Sequence, residues 1–320
     1  MGIIEGMAER PVFLMSKKSP FYMERLVKFK WQKGRTLKAA KINSQNLRDA
    51  ARHEGIKIYE ISRAGEDFSE FSAFKLLVQV KPNYIKLPLE IVYQYAKLWE
   101  GKDEAVNPLD EDALISGKPG VKKSRAVKKK VKEMGEGKVL KCFQINFGGG
   151  EKVNFSHKPE DAFYNWLYIM TLRQRHNREL NERLLKLLSD KLEESETIGF
   201  SDIFFTYKGK QVVRYNCQAR AVAQYLSIYR FCEKEIDEIF PQTDSLYEIR
   251  DRLSIIYNKF VDFAYQPNRS DNESINSMVS TSHDTASNET GNVQSNPSQL
   301  ALPLDESPSS DPCRSTLRQG

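Results

Sequence analysis

Closely spaced cysteines are missing from this 320-residue chain. Cys142, Cys217, Cys232 and Cys313 stand far apart, so neither a disulfide framework nor a zinc knuckle is expected, and a reducing, cytoplasmic setting is. The four histidines are scattered as well, and no metal site is expected. No run of about 18 apolar residues occurs, so no membrane-spanning helix is expected. The N-terminal "MGIIEGMAERP" has no basic flank and no apolar core, unlike a signal peptide. Gly6 stands where N-myristoylation takes Ser or Thr. The glycines of Gly148–Gly150 lack the spacing of a phosphate-binding loop and read as a turn. There is no internal repeat.

The chain does have material for a core, with 40% hydrophobic and 11% aromatic residues. Its net charge of +6 is unevenly spread. From Gln266 onward seven acidic residues face three arginines, a net of −4, which leaves about +10 for the rest. That balance favours an anionic partner, either nucleic acid or a phosphate-rich ligand. The same boundary marks a shift to Ser, Asn, Thr, Asp and Pro, a composition too polar to bury a core, so residues 266–320 are expected to be a disordered tail.

Before that boundary the periodicities alternate. The stretch from Pro11 to Phe29 reads as strands. Ser44–Gly55 reads as a helix with Ser44 as N-cap and Gly55 as stop, followed by a half-buried strand over Ile56–Ser62. Strand character returns around Leu76–Val80. Leu89 to about Trp99 reads as an amphipathic helix stopped by Gly101, with a helix from Ser124 in the basic stretch that follows. Val139–Gly148 reads as a strand, Pro159–Asn177 as a long helix, and the next segment as a second helix. Helices are also expected from Cys217 to Phe240 and from Ser245 to Tyr265. The fold class is therefore α+β.

One helix face carries chemistry. In "LPLEIVYQYAKLWEG" (Leu87–Gly101), Glu90, Tyr93, Gln94 and Lys97 fall at i, i+3, i+4 and i+7 and share a face. Such a stripe is either a solvated face or the polar lining of a cleft with Glu90 as a catalytic carboxylate. The lysine-rich run Ser116–Lys141 lacks aromatics, which suits contact with a nucleic-acid backbone but not base readout, and equally suits a solvated loop. A lysine in it, placed in a cleft, can act as an amine nucleophile. Asp202, an acid among aromatics in "FSDIFF", is either a turn residue or a general acid or base. Asn216, Gln218 and Arg220 stand near a helix start, where an anion can bind.

Taken in order, "AERPVF", "FSAF", "LEIVYQYAKLWEG", a Pro-x-x-x-Lys loop, "AFYNWLYI", "FSDIFF" and "NCQARAVAQYLSIY" resemble the NADAR antitoxin family, found beside DarT-type toxins that attach ADP-ribose to DNA bases. The resemblance runs from about Ala8 to Phe231. The wider, YbiA-like family carries Phe-Ser-x-Phe and then Glu-x-x-(aromatic)-Gln-x-x-Lys, here Phe71–Phe74 and Glu90, Tyr93, Gln94, Lys97. The resemblance implies a mainly helical NADAR/YbiA-like single domain with a small sheet. Its catalytic part would span 8–233, with a helical extension over 234–265 and the tail beyond. It implies hydrolysis of the bond between ADP-ribose and guanine in single-stranded or flipped DNA, without cofactor, which would neutralise a cognate toxin. Glu90, Lys123 and Asp202 would be catalytic. Lys123 is the best match in a departed motif, "KPGVKKS", where Lys122 is its alternative. Phe74, Tyr93, Gln94, Lys97, Asn216, Gln218 and Arg220 would hold the ligand, Arg220 at the pyrophosphate, and Trp99 would be a wall or core residue.

Within the tail, "QLALPL" (Gln299–Leu304) resembles the peptide by which bacterial DNA-repair proteins dock on the sliding clamp. Two other readings remain at this stage: a non-enzymatic antitoxin that binds DNA or toxin, and an N-glycosidase acting on a small metabolite.

Overall fold

Strict alternation builds the first sheet. In Tyr22–Gln32 (β2), Val27, Phe29 and Trp31 are buried while Lys28 and Lys30 are exposed. β2 pairs antiparallel with Glu5–Ser16 (β1), in register from Glu5 opposite Gln32 to Met15 opposite Tyr22. β1 is buried on both faces, with Val12 and Leu14 to one side and Phe13 and Met15 to the other. It pairs antiparallel with Thr197–Ser201 (β9), and β9 pairs parallel with Lys57–Glu60 (β3), giving the order β2-β1-β9-β3. This computed structural model describes residues 5–16, 22–32, 37–61, 68–106, 121–194, 197–201, 218–231 and 235–265, all within one compact unit, Met1–Ser270.

Helix α1 (Leu37–His53) covers one face of the sheet, setting Leu47 and Ala51 against Val12, Leu14, Val27 and Phe29. It starts well before the expected Ser44, which lies buried inside it. Asn43, the residue before the expected cap, has another use. The Asn43 side chain accepts the backbone N–H of Gln32 at 2.7 Å and donates to the Gln32 carbonyl at 2.9 Å, pinning the end of the edge strand. The stop is as expected, with Gly55 at φ +76°, a left-handed position that glycine tolerates.

The other face of the sheet carries the main core. At its centre lies α4 (Ala162–Leu172), in which every residue is buried, as suits a helix apolar all round. Phe143 and Phe163 stack at 4.4 Å between ring centroids, and Phe155 lies 4.9 Å from Trp166. The expected long helix ends at Leu172, and α5 (Arg178–Glu194) follows after a short 3-10 turn. Helix α6 (Gln218–Phe231) packs across α4, and the expected helix to Phe240 resolves into α6 and a separate turn, α7 (Ile236–Ile239). The last helix, α8 (Leu253–Tyr265), is preceded by a 3-10 stretch kinked at Ile249. Its Leu253, Ile256, Tyr257 and Phe260 are fully integrated into the main core.

The segment holding Glu90 departs most from expectation. Short strands β4 (Leu77–Val78) and β5 (Leu87–Pro88) pair, and α2 (Leu89–Tyr95) begins directly after β5. The helix ends at Tyr95, not Trp99, because Lys97–Trp99 becomes β6 and joins an antiparallel sheet with β7 (Leu140–Gly148) and β8 (Glu151–Phe155). The Ala96 carbonyl accepts the Gln144 N–H at 2.6 Å, so the ladder captures the chain before another helical turn can form. Gly148–Gly150, all at positive φ, make the expected turn at the β7–β8 hairpin. Among the described residues the strands are thus distributed over three sheets rather than one, and helix outweighs strand, in keeping with an α+β class that is mainly helical.

Helix α3 (Val121–Met134) lies in the lysine-rich stretch and starts three residues before Ser124. Val127 and Val131 pack on Ile91 and Tyr95 of α2, with Trp99 beside them. Gly135 lets the chain turn against the Trp99 indole, where a Cβ would fall 2.4 Å from the ring. Among the described residues no helix is long and apolar enough to cross a membrane.

Candidate active site

Four of the sequence segments singled out above meet at the start of α2. The Glu90 N–H donates to the Ala73 carbonyl at 3.2 Å and the Leu89 N–H to Leu76 at 2.9 Å, which zips the Phe71–Phe74 segment to the helix. Gln218, at the start of α6, holds that segment from the other side. Its Oε1 accepts the Ala73 N–H at 3.0 Å and its Nε2 donates to Ile61 at 2.6 Å. The Tyr168 hydroxyl of α4 donates to the Phe71 carbonyl at 2.6 Å. Gln218, expected on the ligand, thus spends both ends of its amide on backbone. Phe74 is only half-buried.

Glu90 is 8% exposed and heads a directed chain of hydrogen bonds. Lys97 Nζ donates to Gln94 Oε1 at 2.8 Å, and Gln94 Nε2 donates to Glu90 Oε1 at 2.9 Å. Lys128 Nζ, on α3, stands 3.7 Å from the same Oε1. Glu90 Oε2 accepts no hydrogen bond from the described residues. The expected stripe Glu90–Gln94–Lys97 therefore comes together, although Lys97 reaches it from a strand. Tyr93 forms the floor. Its ring centroid lies 5.0 Å from Lys97 Nζ, 5.0 Å from the Tyr164 ring and 5.5 Å from the Phe143 ring. Burial raises its hydroxyl far above the ordinary tyrosine range, helped by the charges of Glu90, Asp161 and Glu160.

Burial lowers the Lys97 amine from 10.5 to about 8, with Glu90 opposing the shift and Lys128 adding to it. The unfolded chain holds this proton up to 10.5 and the folded chain only to about 8, so the unfolded state binds more protons between those values. Stability attributable to Lys97 is therefore lowest below pH 8 and is expected to rise from there toward pH 10.5. Urea midpoints taken across that window should rise in the wild type, and Lys97→Met should flatten the rise. An unchanged slope in the variant would mean that the amine is solvated instead.

A second polar group centres on Arg220 and Asp161, whose charge also acts on Tyr93. Arg220 ion-pairs with buried Asp161 and with Glu24, donates from Nε to the Tyr22 hydroxyl at 3.1 Å, and stacks 5.4 Å from the Tyr265 ring. Asn165 Nδ2 donates to Asp161 Oδ2 at 3.0 Å and to the Tyr265 hydroxyl at 2.7 Å. Burial works against the guanidinium charge, but Tyr22, Asp161, Tyr265 and Glu24 outweigh it and hold Arg220 above its ordinary range. Arg220, expected on a pyrophosphate, is engaged with at least four protein groups.

The Lys123 backbone belongs to α3, one turn before buried Val127, whereas Lys122 stands one turn before exposed Ala126. Their side chains, and Asp202 and Asn216 altogether, lie outside the described residues, as does Gln299–Leu304. Lys128 has no individual role in the sequence, and Asp161 reads there only as an acid in the first turn of the Pro159–Asn177 helix. Valines four apart within the lysine run would have signalled a docked helix, and with it a lysine beside α2. An acid directly before a wholly apolar helix would have signalled Asp161. Among the described residues no group of three or more His, Cys, Asp or Glu side chains could hold a metal ion.

Chemically, the site offers a buried carboxylate with one oxygen anchored and, among the described residues, no partner on the other, beside an amine able to lose its proton near neutral pH. A family model described as the DarT1-associated NADAR antitoxin matches residues 8–254. No curated protein matches the sequence.

Proposed function

The chain belongs to the DarT1-associated NADAR antitoxin family, whose wider group is generally N-glycosidase-like, and from that premise we propose that it is a cytoplasmic glycohydrolase removing ADP-ribose from guanine in DNA. The observation that carries the reading is Glu90, buried, fixed through Oε1, and with no partner on Oε2 among the described residues. Cleavage of the N-glycosidic bond builds positive charge on the ribose, and a carboxylate beside it stabilises that charge. Water then adds its oxygen to the anomeric carbon, the guanine leaves with a proton, and Glu90 serves as stabiliser or water activator. Lys123 is proposed to engage the ribose through its amine, and Asp202 to act as acid, base or orienter. Lys97, with its lowered pKa, keeps a donor on Gln94 and so fixes Glu90. The target guanine has to leave the stack, which favours single-stranded or flipped DNA. Removing the adduct would undo the work of a cognate DarT1-type toxin.

The test is release of ADP-ribose from a single-stranded oligonucleotide carrying ADP-ribosylated guanine, run beside Glu90→Gln. A well-folded wild type that releases nothing would favour the binding antitoxin, and activity on small metabolites without DNA would favour the third reading. The tail peptide Gln299–Leu304 is proposed to tether the enzyme to the sliding clamp. A synthetic peptide of that segment should bind purified clamp, and Gln299→Ala with Leu302→Ala should abolish binding. Equal binding by both peptides would remove the tether.

A further inference from the structure

Helix α3 has two faces. Val127 and Val131 anchor it to α2, while Lys128, Lys129, Lys130 and Lys132 are exposed. The anchor fixes the height of the lysine rows over the site, so that Lys128 reaches Glu90. The resulting pair is asymmetric. The Lys128 side chain is 51% exposed and that of Glu90 11%, and their 3.7 Å separation exceeds that of a charge-assisted hydrogen bond. Pairs of this kind, open to water at one end, contribute little and are readily exchanged. A phosphate arriving from solvent can take the Lys128 ammonium without disturbing the fold, whereas Glu90 cannot follow it, because Gln94 holds its carboxylate in place.

We propose that the lysine face of α3 binds the phosphate backbone of a DNA strand, and that Lys128 couples this binding to the chemistry by leaving Glu90 for a phosphate. The inference rests on the glycohydrolase reading for its second half only. Without a strand, the ammonium beside Oε1 partly neutralises Glu90 and weakens its attraction for a cationic ribose. With a strand bound, that charge is drawn outward and the carboxylate faces the ribose uncompensated. Lys128 is thus a positioning residue that makes a strand a better substrate than a lone ADP-ribosylated nucleoside.

Binding is measured first, by fluorescence anisotropy of an unmodified single-stranded oligonucleotide against salt concentration, where no turnover is involved. Replacing Lys129, Lys130 and Lys132 together by Gln should lower the slope of log K against log salt by about 2, at about 0.7 per phosphate contact. An unchanged slope with retained circular dichroism overturns the surface. Next, kcat/KM is compared for an ADP-ribosylated oligonucleotide and for ADP-ribosylated guanosine. Lys128→Gln should raise the nucleoside value and lower the oligonucleotide value, reducing the preference about tenfold, while Lys128→Arg should restore it. An unaltered preference overturns the coupling. If neither substrate is cleaved but the salt slope falls as expected, the glycohydrolase reading and the coupling fail together and the DNA surface stands.

Discussion

Glu90→Gln is expected to reduce ADP-ribose release by about 10³-fold while leaving the fold intact. The change keeps the shape of the side chain and leaves an oxygen able to accept from Gln94 Nε2, so the hydrogen-bonded chain from Lys97 survives. What is removed is the negative charge facing the ribose and any capacity to take a proton from water. The structural cost is small, since among the described residues the carboxylate is matched by one loosely held lysine and not by a buried ion pair. Release is followed by chromatography of free ADP-ribose, and folding by the thermal midpoint. Release at the wild-type rate would remove Glu90 from the chemistry. A parallel loss of protection in cells carrying a DarT1-type toxin, at unchanged protein level, would place the antitoxin effect in catalysis and not in contact with the toxin.

Arg220→Ala is expected to destabilise the protein by about 3–5 kcal/mol, because it leaves Asp161, which is 4% exposed, as an uncompensated buried charge. In a domain of this size that loss lowers the thermal midpoint by roughly 10 °C. Tyr22 and Tyr265 lose their shared partner in the same change, so β2 and the end of α8 are released from α6 together. Arg220→Lys should recover little, since one ammonium cannot span Asp161, Glu24 and Tyr22 or stack on Tyr265 as a planar guanidinium does. A residue serving only the pyrophosphate would behave otherwise, losing affinity for ADP-ribose at unchanged stability. Thermal melts alongside calorimetric titration with ADP-ribose separate the two outcomes.

The features readable in the sequence were those set by short-range periodicity. The alternation in β2, the Gly55 stop, the glycine turn of the β7–β8 hairpin and the i, i+4 relation of Glu90 to Gln94 all depend on residues a few positions apart. The errors arose where a distant segment intervened. Helix α2 stops at Tyr95 because β7, more than forty residues later, takes Lys97–Trp99 into its ladder. Ser44 is not a cap because Asn43 is committed to Gln32, eleven residues earlier. In the site, Glu90 and Lys97 were found from spacing, whereas Lys128 and the Asp161–Arg220 pair depend on how α3 meets α2 and α6 meets α4. The family resemblance supplied what spacing could not, namely that "FSAF", "LEIVYQYAK", "AFYNWLYI" and "NCQARAVA" act together. The bonds from Glu90 to Ala73, from Ala73 to Gln218 and from Tyr168 to Phe71 give that association its physical form.

Gln94 connects a group that can only donate, the Lys97 ammonium, to one that can only accept, the Glu90 carboxylate. The amide therefore has a sense, and turning it over would set donor against donor at one end and acceptor against acceptor at the other. Glutamate at this position would accept at both ends and put two carboxylates side by side, asparagine would fall a methylene short, and an aliphatic residue would sever the line. Position 94 has far less chemical freedom than its neighbours, although it need never touch a ligand. Its constraint is grammatical, in that it must read one way from amine to acid, and in a family alignment that should leave it as invariant as the carboxylate it serves.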